Sequence, residues 1–114
     1  MGKYLITIYR GNDFDPKISV DKEMKADIDL LNLEMVNAGV RVFVGGLKPP
    51  ECAVALRREK SNSLSRTEGT FLNASHFMDG LWILEAPDIK AAEEWGHNAA
   101  IACHASVEVR PFYG

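Results

Sequence analysis

Two cysteines in 114 residues, five prolines and no apolar run of membrane length set the first limits on this chain. Cys52 and Cys103 lie far apart and carry no paired metal-ligand or redox spacing. A domain of this size builds its core without covalent staples, so both are expected as free thiols. Apolar runs such as Leu81 to Leu84 fall far short of the roughly 20 residues a membrane helix needs, so the chain is not expected to span a bilayer. Clustered cations are also missing. Thirteen Lys and Arg stand against 16 Asp and Glu, for a formal net charge of −3, and neutralising phosphates needs basic patches, so nucleic acid is not an expected partner. Gly45-Gly46 lacks the Gly-x-Gly-x-x-Gly spacing and opens no helix, and there is no Gly-x-Ser-x-Gly elbow; no nucleotide cofactor and no serine triad are expected. Met1 to Tyr9 reads as a strand where a secretory signal would carry its apolar h-region, which makes the cytoplasm the expected location.

What is present is an ordinary globular composition, 46% hydrophobic and 25% charged, enough for one packed core and too short for two. A single domain over residues 1–114 follows. Lys3 to Tyr9 reads as a strand with Tyr4, Ile6 and Ile8 on one face and Leu5, Thr7 and Tyr9 on the other. Gly11, Asn12, Asp13 and Pro16 break it. From Val20 to Ala38 a stripe of Met24, Ile28, Leu31, Met35 and Ala38 predicts a helix, with Ser19 as N-cap and Gly39 just past its end. Leu30 and Leu33 fall off that stripe, as surface leucines or as contacts to something beyond the first core. Val40 to Val44 is a second strand, and Ala53 to Arg58 with Leu64 to Thr70 form a hairpin around Lys60 to Ser63. Gly80 to Glu85 is a strand, with Leu81 and Ile83 on one face and Trp82 and Leu84 on the other. Asp88 caps a second helix with a stripe of Ile89, Ala92, Trp95, Ala99 and Cys103. The last strand alternates Ala105, Val107 and Val109 against Ser106, Glu108 and Arg110.

The order β-α-β-(β-β)-β-α-β predicts an α+β fold, a ferredoxin-like split β-α-β sheet with both helices on one face and an inserted β-hairpin. The helix-free face would then expose more apolar surface than monomers tolerate. Packing two such faces together would bury about 800 Å² per partner, the size of a stable interface, and a two-fold axis needs only one self-complementary surface. A homodimer is therefore expected.

Several segments in this order resemble the YCII-related domain family, in particular its branch named for an Asp-Gly-Pro-Phe (DGPF) motif. They are Lys3 to Tyr9, Ala38-Gly39-Val40 with Gly46-Leu47-Lys48-Pro49-Pro50, Thr67-Glu68-Gly69-Thr70-Phe71, Gly80 to Ala86 with Asp88, Ala92 and Glu94-Trp95, and Val107 to Pro111. The resemblance covers nearly the whole chain and implies a dimeric α+β barrel. The motif itself is altered: Glu68-Gly69-Thr70-Phe71 stands in place of Asp-Gly-Pro-Phe, and Asn73, Ser75 and His76 stand where the family has Glu, Lys and Glu. The His and Asp proposed as a catalytic pair in the other branch fall on Ile28 and Asn37, so that pair is not carried over. The family implies a fold far more than a reaction.

His76 is the candidate acid or base, because imidazole titrates near neutrality and the segment also holds Arg66, Glu68 and Asp79. The competing account is a histidine fixed by a local hydrogen bond or solvated at the surface. Arg66, Glu68, Asp79 and Tyr9 are the candidate ligand-binding residues. Cys103-His104 lacks the three or four convergent ligands of a metal site, and His97 lies on a polar helix face, so no metal is expected. Two functions lead, a homodimeric small-molecule-binding protein and a cofactor-independent lyase, isomerase or oxygenase acting on a small organic substrate; a third reading, a purely structural partner-binding domain, needs an exposed apolar patch left over after dimerisation.

Overall fold

The computed structural model describes residues 1–15 and 19–114; the break expected at Pro16 lies outside them. The chain runs β1 (Gly2–Gly11), α1 (Lys22–Asn37), β2 (Arg41–Gly46), a short 3-10 turn (Pro50–Cys52), β3 (Val54–Arg58), β4 (Leu64–Glu68), β5 (His76–Ala86), α2 (Ile89–Cys103) and β6 (Ser106–Pro111). Strands β2, β5, β1 and β6 pair in that spatial order, each antiparallel to its neighbour, while β3 and β4 form a separate two-stranded sheet. Two long helices with antiparallel sheets, in this order, are consistent with a ferredoxin-like α+β fold.

Period-two alternation explains which side of the sheet the helices take. Ile6 and Ile8 from β1 and Trp82 and Leu84 from β5 meet Leu31 and Met35 of α1 and Ala99, Ala102 and Cys103 of α2. Val44, Val107 and Val109 close the edges of that core. The other series tells a different story. Leu5, Leu81 and Ile83 are half-buried, Phe43 is exposed, and strand register places them in adjacent rows, Phe43 beside Ile83 beside Leu5. Thr7 lies among them, only 3% exposed, and its hydroxyl has no hydrogen-bond partner among the described residues.

Three expectations need correction. Asp21, not Ser19, caps α1: its carboxylate accepts the Met24 amide at 2.8 Å, while the Ser19 amide already donates to the Asp15 carbonyl. Ala38 and Ile89 are exposed rather than core, because each sits at a helix end where the stripe has run past its partner. Strand β5 starts at His76 rather than Gly80, since the far end of β1 pairs with it. That pairing shifts register between Ile8 and Tyr9: Ile8 opposes Gly80 and Tyr9 opposes Met78, leaving Asp79 as the extra residue of a β-bulge.

Candidate functional site

The bulge builds the site. In β1 the inward series Tyr4, Ile6, Ile8 continues to Arg10, so a guanidinium arrives where a core residue would sit, 6% exposed. Burying a charge is costly unless it is paired and hydrogen-bonded. Regular alternation from Gly80 would send the Asp79 side chain to the opposite face; the bulge re-aims it, and Arg10 Nε donates to Asp79 Oδ2 at 2.8 Å. Arg10 Nη1 donates to the Cys103 carbonyl at 2.7 Å, satisfying one of the last carbonyls of α2, where a cation is also favoured by the helix dipole. The Phe14 ring covers the guanidinium at 4.2 Å. Beside this pair, burial pushes the Cys103 thiol above its ordinary range, with Arg10 opposing that shift and Asp79 adding to it. A thiol held protonated is a poor nucleophile.

Around this pair open two clefts that share Phe14 and His76. The smaller, of about 560 Å³, is polar, with Tyr9, Arg10, Asp13, His76 and His104 in its walls. The larger, of about 830 Å³, has Leu47, Pro49, Leu72 and Phe77 as apolar walls and Asp79 at its margin. Both fall in the size range of small-ligand sites. His76 is exposed, opens β5 opposite Gly11, and has Nδ1 2.9 Å from Ser75 Oγ. His104 ends α2 in the left-handed conformation, φ 50° and ψ 47°, which few residues other than glycine adopt.

Gly69 and Thr70 line part of the larger cleft. Gly69 has a φ of +96°, reachable without strain only by glycine, and its amide donates to the Ala53 carbonyl. This turn carries Gly69 and Thr70 into the cleft, while Arg57 stacks on the Phe71 ring and donates to its carbonyl.

Of the residues singled out from sequence, Tyr9 and His76 share the smaller cleft, and His76 and Asp79 share the larger. Arg66 and Glu68 do not join them. They lie on β4, both exposed, 4.0 Å apart, and line neither cleft. Sequence reasoning passed over Arg10 and Phe14 and weighed His104 only as a metal ligand beside Cys103. A signal existed for Arg10, a charge at the next inward position after Ile8; none existed for His104, whose backbone conformation is not written in residue type. Among the described residues no cluster of three or more His, Cys, Asp or Glu side chains is placed to hold a metal ion, and no helix is long and apolar enough to cross a membrane. No known protein-family model matches the sequence, and no curated protein matches it significantly.

Proposed function

We propose that this chain is a cytoplasmic YCII-related protein of the DGPF-motif branch, a homodimer that binds a small molecule in the paired clefts joined at His76. One observation carries the binding reading: a polar cleft and a larger one with apolar walls on part of its lining share His76 and Phe14, so a ligand with a polar head and a partly apolar body would fill both. The strand order β2-β5-β1-β6 supports reading the sheet as a split β-α-β unit, and its helix-free face supports the dimeric α+β barrel. There the row of Phe43, Ile83 and Leu5 calls for cover that two packed sheets would supply.

A second reading, a cofactor-independent lyase, isomerase or oxygenase for a small organic substrate, is favoured by His76 itself. Its only side-chain partner among the described residues is the Ser75 hydroxyl, which leaves an imidazole at the junction of both clefts able to exchange a proton with a bound molecule. The two readings separate in one experiment. Thermal melting against a panel of small metabolites should find a compound that raises the melting temperature of the wild type. His76→Ala should reduce that rise without lowering the melting temperature of the free protein. Proton NMR of the hit with protein then distinguishes an unchanged ligand from a consumed substrate. A broad panel with no melting shift sinks both.

A further inference from the structure

Two surfaces of this chain are apolar, unpartnered and opposite in charge. The first is the β3–β4 hairpin. Among the described residues it makes no extensive contact with either helix or with the main sheet, and the molecule has a radius of gyration of 16.0 Å, against about 13 Å for a compact chain of this length. Register puts Val54, Leu56 and Arg58 of β3 on one face with Leu64, Arg66 and Glu68 of β4. Val54, Leu56 and Leu64 are 50%, 62% and 66% exposed, an unusual load for a two-stranded ribbon in water. Over residues 54–68 there are four cations and two carboxylates. Among the described residues, Arg58 donates to the neutral Asn62 side chain and Arg66 meets Glu68 at 4.0 Å.

The second surface is the outer side of α1. Leu30 and Leu33, each 55% exposed, and Val36 at 49% recur at helical spacing on the side away from the buried Met24, Leu31 and Met35. By the same spacing, Ala26 extends this stripe, Glu23, Asp27 and Glu34 line one border of it, and Lys22, Lys25 and Asp29 lie toward the other. Over residues 21–38 there are five carboxylates and two lysines.

We infer that the hairpin is a docking arm whose leucine and arginine face seats on the leucine and carboxylate face of α1 in a second copy of this chain. The occupant follows from complementarity. Each surface carries an apolar strip and a net charge opposite to that of the other, both sit on one polypeptide, and the hairpin makes no extensive contact with α1 of its own chain. Apolar strips bordered by opposite charges fix register as well as affinity. This contact uses neither the clefts nor the helix-free sheet face, so it is independent of the proposed function.

The test uses the full chain in sedimentation velocity. Arg58→Glu with Arg66→Glu should weaken self-association at least about tenfold, and Asp27→Lys with Glu34→Lys on the same background should restore it. Raised salt should weaken the wild-type contact. In parallel, Leu56→Cys and Leu33→Cys are made as single variants on a Cys52→Ser background, coexpressed and oxidised; the mixed disulfide between copies should exceed either self-pair. Unchanged association of the arm variant, or absence of the mixed disulfide, overturns the inference.

Discussion

Arg10 occupies a core register and keeps its charge because three elements converge on it: the bulged β5 through Asp79, the end of α2 through the Cys103 carbonyl, and the loop after β1 through Phe14. Removing one partner of a buried pair leaves the other uncompensated, at about 3–5 kcal/mol when both are fully buried. The Asp79 side chain is 29% exposed, so water recovers part of the loss, and Asp79→Ala should cost about 2–3 kcal/mol. Urea denaturation measures it, and a loss below about 0.5 kcal/mol would place the pair among ordinary surface ion pairs. Cys103 carries a pH prediction. In the unfolded chain its thiol ionises near 9.0, while burial holds it protonated to higher pH in the folded chain. Between those two values the folded chain binds more protons than the unfolded, so this contribution is fully present below pH 9.0 and falls as pH rises through the window. Urea midpoints from about pH 8 to about pH 10 should therefore decline less steeply in Cys103→Ala than in the wild type.

At the scale of elements, both helices begin at an aspartate: Asp21 accepts from Met24 and Asp88 from Ala91. Asp88 was legible because it directly precedes an apolar stripe; Asp21 was missed because Ser19 offers the same chemistry two residues earlier and only the chain path separates them. Gly96 shows what periodicity omits. It lies buried in the middle of α2, where glycine costs about 1 kcal/mol relative to alanine. A Cβ there would stand 2.6 Å from Cγ2 of Val109 in β6, and valine, stiff at χ1, has little freedom to yield. Gly96→Ala should thus destabilise by about 1–3 kcal/mol despite its better helix propensity, as overpacked cores do. A rise in melting temperature would show that the helix-to-sheet spacing is set elsewhere.

For the whole molecule, the governing fact is an apolar sheet face that carries no helix among the described residues. If a second sheet covers that face, Ile83→Glu should weaken self-association in sedimentation with native circular dichroism, and give a folded monomer when combined with Arg58→Glu and Arg66→Glu, because a carboxylate at the centre of a dry interface has no counter-charge. Dimerisation unaffected by that change would remove the face-to-face arrangement and leave the hairpin contact as the means of association.

Strand faces, helix stripes and the order of elements were written in the sequence, since alternation and 3.6-residue spacing are local properties of a chain against a core. The site was not. Arg10 and Asp79 are 69 residues apart, and they meet only because β1 pairs with β5 four residues beyond the strand start read at Gly80 and inserts a bulge there. Hydrophobic pattern specifies which face a strand buries; tertiary pairing alone decides where an extra residue enters the ladder, and so which charge turns inward.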